Sequence, residues 1–165
     1  MTAQSQLEGL GAPDIEPRPS VEADVVAFTV LGVAQPAGSK RGFVSGGHVR
    51  VVDANPKAAG WKADVSRIAY DAMQGRPLLT GPLALEATFY IVRPRGHYGV
   101  RGVRPAAPRY PTTRPDLLKL TRGLEDACTS VVWRDDSQVV DEVLRKRYAA
   151  EGEAARVEVS IRSLA

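Results

Sequence analysis

The chain has 165 residues, of which 44% are apolar and 25% charged, a balance typical of one globular domain with a hydrophobic core. Its 22 basic and 19 acidic side chains give a net charge of +3, which is too small to indicate nucleic-acid binding by itself. The single cysteine, Cys128, excludes an internal disulfide and a cysteine-rich zinc site, and no apolar run is long enough to cross a bilayer, so we expect a cytoplasmic protein without membrane association.

The first 23 residues are rich in Gly, Pro, Ser, Glu and Gln, which predicts a flexible tail before one domain spanning residues 24–165. The domain opens on a β-branched run, Val25 to Leu31, that predicts a strand. After a loop at residues 35–41 comes a predicted hairpin whose turn is Gly46-Gly47, because paired glycines permit the positive φ angles of a tight turn.

A helix is predicted after Asn55, as its N-cap, with Pro56 in its first turn. Apolar residues at helical spacing define its buried face: Trp61, Val65, Ile68 and Ala72. Gly75 and Pro77 end it, and the apolar run of residues 83–92 predicts a second strong strand.

Residues 93–115 carry no periodicity and many Gly and Pro, so we predict a long basic surface loop. No Asp or Glu interrupts its six arginines, which are Arg93, Arg95, Arg101, Arg104, Arg109 and Arg114. Such a segment is typical of an arm that follows DNA phosphates, although a solvated charge run is the alternative. Lys40 and Arg41 form a second small basic patch that could also contact DNA.

A second helix is predicted from about Asp116 to Cys128, because Leu117, Leu120, Leu124 and their neighbours share one face. A strand containing residues 139–143 follows, and the alternation over residues 156–162 predicts the last strand. The elements mix without a βαβ rhythm, so the predicted class is α+β: a small mixed or antiparallel sheet packed with two main helices.

Acidic residues recur at two places, Asp116 and the pair Asp135-Asp136. Adjacent carboxylates repel one another, and a hard divalent cation such as Mg²⁺ or Mn²⁺ relieves that repulsion. The sequence thus suggests that these acids converge on a metal ion. The alternatives are that Asp116 caps a helix and that Asp135-Asp136 form a solvated turn.

These segments resemble the signature of the RusA family of Holliday-junction resolvases. The resemblance is carried by residues 115–122, Pro-Asp-Leu-Leu-Lys-Leu-Thr-Arg, by residues 125–128, and by residues 133–139, Trp-Arg-Asp-Asp-Ser-Gln-Val. It implies a homodimer that cuts four-way or branched DNA in recombination and repair, with Mg²⁺ bound by aspartates and Mn²⁺ as a possible substitute. No phosphate-binding loop motif is present, so we expect no nucleotide cofactor.

Motif matching gives Asp116 the first aspartate role and Asp135 and Asp136 the later pair. Asp116 and Asp136 are then the expected catalytic acids. Arg122 takes the position of a catalytic lysine, where it keeps the charge but is no proton donor.

The second family aspartate falls on Leu118, which cannot bind a metal. One possibility is that Glu125, on the same helical face as Leu118 and Arg122, replaces it as a metal ligand; another is that Glu125 only pairs with Arg122. The leading hypothesis is therefore an active endonuclease, and the alternative is an impaired relative that still binds branched DNA. A protein-interaction module with a merely structural acidic turn is the third class.

Overall fold

The computed structural model describes residues 24–37, 40–53 and 55–164, without the side chains of Lys40, Arg41 and residues 51–53. The predicted tail, residues 1–23, lies outside the described residues. In chain order the elements are β1 (Val25–Leu31), β2 (Lys40–Ser45), β3 (His48–Asp53), α1 (Ala58–Met73), β4 (Leu83–Ile91), β5 (Tyr98–Gly99), β6 (Gly102–Val103), α2 (Leu117–Cys128), β7 (Val139–Tyr148) and β8 (Arg156–Ser163).

Four strands form the main sheet, in the order β1-β8-β4-β7. β8 runs antiparallel to both β1 and β4, whereas β7 lies parallel to β4. β7 is therefore an edge strand of a mixed sheet. The α+β class with a mixed sheet and two main helices is confirmed.

The core lies between one face of this sheet and the two helices. Inward residues of three strands stack across the sheet, as in the row Phe28, Val159 and Ala87, because strand side chains alternate between faces. The opposite face carries polar contacts, such as the ion pair between Arg145 and Glu86. One face of the sheet thus packs and the other meets solvent, as the alternating sequences predict.

Helix α1 begins at Ala58, two residues after Pro56. Asn55 acts just before the helix, because its Oδ1 accepts the backbone N–H of Lys57 at 3.1 Å. The helix ends at Met73, followed by Gln74 and Gly75 in the left-handed region. The predicted face is confirmed, with Trp61 and Val65 buried among the core residues.

Helix α2 packs against α1 at a point of close approach, Gly123. A Cβ atom built there would lie 3.0 Å from the carbonyl oxygen of Gln35 and 3.1 Å from Trp61 Cζ3. The loop after β1 is also bonded to α2, since the backbone N–H of Ala37 donates to the carbonyl of Lys119 at 2.9 Å. Glycine at position 123 therefore allows this loop to lie directly on the helix.

The basic loop is more ordered than the sequence predicts. It contains a short 3₁₀ turn at Arg95–His97 and the two-residue strands β5 and β6. It also docks on the sheet, because the guanidinium of Arg93 lies 4.0 Å from the ring centroid of Tyr148 in β7. The segment remains a basic surface loop, and a cation–π contact and hydrogen bonds to β7 hold it against the sheet.

No helix in the described part of the chain is long and apolar enough to cross a membrane.

Candidate functional site

Asp116 stands at the N-terminal end of α2, directly before Leu117. Its carboxylate is exposed and makes no capping hydrogen bond to the helix. The preceding backbone is held from β7, because Lys146 Nζ donates to the carbonyl oxygens of Thr113 at 2.8 Å and Pro115 at 2.9 Å. Asp116 is thus positioned by its neighbours and is not engaged as a helix cap.

The surface around Asp116 is basic. Asp116 lines a cleft of about 530 Å³ between the start of α2 and the loop after β1, together with Arg114 and Lys119. The cations on this cleft suit contact with a phosphate chain, and they leave Asp116 in surroundings unlike the cluster of carboxylates that a metal ion prefers. We call this region the basic end of α2.

Asp135 lies beyond the other end of α2 and caps a short 3₁₀ turn, Asp136–Gln138. Its Oδ1 accepts the backbone N–H of Ser137 at 2.9 Å. Hydrogen bonds from the side chain and the backbone of Ser137 hold the pKa of Asp135 below its usual value, because they stabilise the charged carboxylate. Asp135 therefore stabilises this turn, which is the role that the structural alternative gives it.

Gln138 locks the same turn. Its Oε1 accepts from the backbone N–H groups of Arg134 at 2.9 Å and Asp135 at 3.2 Å, and its Nε2 donates to the carbonyl of Leu79 at 3.0 Å. Hydrogen bonds of Gln138 thus hold the Asp-Asp-Ser-Gln turn together and join it to the loop before β4. Within it, the side chain of Asp136 remains exposed.

Glu125 meets other acids at this end. Its carboxyl lies within hydrogen-bonding reach of Glu142 on β7, with Asp136 and Asp126 close enough to repel it. Partial burial, followed by the charge and hydrogen bond of Glu142, raises the pKa of Glu125 to about 7. We call Glu125, Asp126, Asp136 and Glu142 the acid cluster.

Glu142 was missed by the sequence reasoning. In the parallel register of β4 and β7 it stands opposite the buried residue Leu85, so its position faces the helix side of the sheet. A usable signal existed, because Glu142 alternates with Val140 and Leu144 on a strand and an acid is unusual at an inward position.

Asp126 is partly neutralised within the cluster, because Lys62 Nζ of α1 lies 2.5 Å from its Oδ2. Arg122 is exposed, and the structure records no ion pair between Arg122 and Glu125, both of which lie in its described part. The partner of Glu125 is thus an acid on the neighbouring strand. Simple pairing with Arg122 does not account for it.

The two groups of acids are far apart. Glu125 lies nine residues after Asp116 along α2, and this spacing puts about 13–14 Å of axial rise between Asp116 and the start of the acid cluster. Among the residues that the structure describes, no three His, Cys, Asp or Glu side chains are arranged to hold a metal ion. This corrects the expectation that Asp116, Asp135 and Asp136 converge on one point within a chain; their individual roles stay predictions.

Leu118 is 72% exposed one residue into α2. It shares one helical face with Arg122 and Glu125, and Glu125 on that face interacts with Glu142 of β7. A leucine here leaves an apolar surface where the motif expects a carboxylate.

The basic loop surrounds the end of the sheet next to Asp116. Arg93 is partly engaged, because it donates to the carbonyl of Pro108 at 2.8 Å as well as stacking on Tyr148. The other arginines of the loop expose their side chains: Arg95, Arg101, Arg104, Arg109 and Arg114. Lys40 and Arg41 lie in β2, but their side chains are outside the described residues.

Cys128 is buried in the core, and burial raises the pKa of its thiol to about 12. A thiol that stays protonated is a poor nucleophile, and the place of Cys128 in the core gives it a packing role.

Comparison with known proteins places this geometry in a family. The family model described as Endodeoxyribonuclease RusA matches residues 34–162, from the loop after β1 to β8, including both ends of α2. The chain is also similar to the uncharacterized protein YqaN of Bacillus subtilis (strain 168), with 33% identity over 146 residues, covering 86% of this chain and 98% of that protein.

Proposed function

The chain belongs to the RusA endodeoxyribonuclease family, and from this premise we propose that it is a Mg²⁺-dependent endonuclease that cuts branched DNA, four-way junctions above all, in recombination and repair. The observation that carries the proposal is the acid cluster at one end of α2, together with an arginine-rich surface at the other end. Metal-assisted phosphodiester hydrolysis requires acids that can share a metal ion and a surface that holds the phosphate chain, and the two ends of α2 offer one each.

The acid cluster fits Mg²⁺ in one particular mode. This ion is often held by one or two carboxylates, while water and substrate phosphate complete its octahedron. Glu125 and Glu142, with Asp136 nearby, offer such a set of hard oxygen donors. A bound Mg²⁺ or Mn²⁺ supplies an activated water and stabilises charge on a phosphate oxygen.

The proposed roles follow from position. Asp136 and Glu125 serve as metal ligands, and Asp136 is also one of the two proposed catalytic acids. Asp135 already accepts a hydrogen bond from Ser137 in the turn, so we propose it as a weaker metal ligand than Asp136. Arg122, exposed one helical turn before Glu125, stabilises negative charge on the phosphate.

The basic end holds the DNA strand in this proposal. Its arginines contact phosphates, and their number gives an affinity that falls with salt. Asp116 stands among them as the second catalytic acid.

A homodimer is supported by β7, which is an edge strand of the main sheet among the residues that the structure describes. Val140 on this strand is 63% exposed, and an edge strand with an exposed apolar side chain is a site for association. A two-fold dimer carries two sites, one for each strand of a junction. We expect Val140→Lys to shift the mass measured by light scattering towards the monomer, whereas Val44→Lys in the β2–β3 hairpin does not.

The second candidate function is a catalytically impaired protein that still binds branched DNA. It is favoured by one observation, the exposed Leu118 at the position of a family aspartate.

A labelled four-way junction distinguishes the two. For an active enzyme we expect binding in EDTA and nicks after Mg²⁺ is added. Binding without nicks in Mg²⁺ or Mn²⁺ supports the impaired protein, and a large gain of cutting in Leu118→Asp then identifies the cause. No salt-sensitive binding at all contradicts both candidates.

A further inference from the structure

The cleft at the basic end of α2 has a composition that phosphate contact alone does not explain. Its volume of about 530 Å³ falls within the range of small-ligand sites. Apolar surface from Ile91, Pro36 and Pro115 lines it, next to the amide side chains of Gln35 and Asn55. Flat apolar walls with a few polar groups suit a planar polar molecule.

The two amides are oriented by hydrogen bonds. Asn55 Nδ2 donates to Gln35 Oε1 at 3.0 Å, and Asn55 Oδ1 accepts from the backbone of Lys57. Gln35 Nε2 donates to the carbonyl of Val33 at 2.9 Å. An amide has two N–H donors and two oxygen lone pairs, so the contacts within residues 24–37, 40–53 and 55–164 leave Gln35 one donor and one acceptor, side by side.

A donor beside an acceptor is the complement of a nucleobase edge. Glutamine and asparagine use this pair to bind bases in bidentate fashion, as with the amino group and ring nitrogen of adenine. Arg114 and Lys119, on the cleft wall, add positive charge that suits the phosphate of the same nucleotide. Base, sugar and phosphate thus each find a matching surface.

We propose that this cleft is a subsite for one unstacked nucleotide of the DNA strand, with Gln35 bound to the edge of its base. The inference rests on the proposed function, because it names the part of the DNA substrate that the basic end takes. Enzymes that act on branched or distorted DNA gain selectivity from bases that are already unpaired, because unstacking such a base costs less. A base held here next to Asp116 would fix the register of the strand on the protein.

The test is an NMR titration of the ¹⁵N-labelled full chain with dAMP, with deoxyadenosine and inorganic phosphate as separate arms. We expect dAMP to shift the side-chain amide signals of Gln35 and the backbone signals around Arg114. Deoxyadenosine should shift the Gln35 signals alone, and phosphate only those near Arg114.

Gln35→Ala should weaken dAMP binding about 5- to 10-fold or more, because it removes the bidentate pair of hydrogen bonds to the base. Gln35→Glu keeps the contact to Asn55 and repels the phosphate, so it should weaken binding while the loop signals stay in place. Thr80→Ala, on the exposed loop before β4, is the matched control and should bind as the wild type does.

Two outcomes overturn the inference: no dAMP-dependent shift in the cleft, or identical shifts with phosphate alone. Because the titration requires no cleavage, the proposals separate. A chain that binds dAMP here but never cuts a junction loses the proposed activity only. A chain that cuts junctions without these shifts loses the subsite only.

Discussion

The two ends of helix α2 differ in charge, in packing and in the chemistry they can support. At the N-terminal end, Asp116 stands among cations on an open cleft. At the C-terminal end, Glu125 is crowded by Glu142, Asp136 and Asp126. The helix thus separates a surface suited to phosphates from a surface suited to a cation.

In the proposed function, this separation divides DNA binding from metal chemistry in a way that the linear motif does not reveal. Carboxylates of both ends belong to one sequence signature, yet about 13–14 Å of helix lies between Asp116 and Glu125. If the two ends do act separately, substitutions at each should alter different measurements.

The largest expected contrast is between Asp136→Asn and Asp116→Asn. Asp136→Asn should lower junction cutting by about 100-fold or more, because it removes an acid from the metal-binding cluster, and it should weaken Mg²⁺ binding measured by calorimetry. Asp116→Asn should leave Mg²⁺ affinity unchanged, even though it also lowers cutting.

The control for this pair is Asp71→Asn on α1, an exposed acid outside both ends. If the Asp116 and Asp136 variants lost Mg²⁺ affinity equally, the two ends of α2 would share one metal site, for example across two subunits. The proposed division of roles between the two ends would then be wrong.

The next effect concerns the packing of the loop after β1 and of α1 against α2. Gly123→Ala should destabilise the protein by about 1–3 kcal/mol, because its Cβ would press on the carbonyl of Gln35 and the ring of Trp61. Urea unfolding measures it. Gly60→Ala on α1 is the matched control, since its Cβ meets nothing within 4 Å and alanine favours helix by up to about 1 kcal/mol. Equal stability changes in the two variants would mean that the loop does not rest on α2.

The smallest effect is the pH dependence of the acid end. The pKa of Glu125 rises from its usual 4.5 to about 7 on folding, so the native state favours the protonated form. Ionisation therefore reduces stability progressively between pH 4.5 and pH 7, and the full loss is present above pH 7. Because the side chain is only partly buried, we expect about 1 kcal/mol.

Glu125→Gln removes this penalty. It should be more stable relative to wild type at pH 8 than at pH 4, by about 1 kcal/mol in urea unfolding. Mg²⁺ at pH 8 should raise the melting temperature of wild type more than that of the variant, because the ion relieves the repulsion. A stability difference that is the same at both pH values argues against the crowding of Glu125 by Glu142.

Much of the fold could be predicted because it depends on local patterns. The alternation in residues 156–162 and the helical spacing of Trp61 and Val65 are properties of near neighbours in the chain. The basic loop was the exception. Its short strands pair with each other, and it is held on the sheet by contacts with β7, such as Arg93 on Tyr148, which no local pattern contains.

By itself, the sequence determined the strands and helices, the family signature, the acids at residues 116, 135 and 136, and the leucine at position 118. Only the tertiary structure decided which acids are neighbours. Glu142 joins Glu125 because β7 lies parallel to β4 in one register, and Asp116 stands apart because a rigid helix separates it from the turn. Such distances depend on strand pairing and helix length across the whole fold, whereas a motif records only order along the chain.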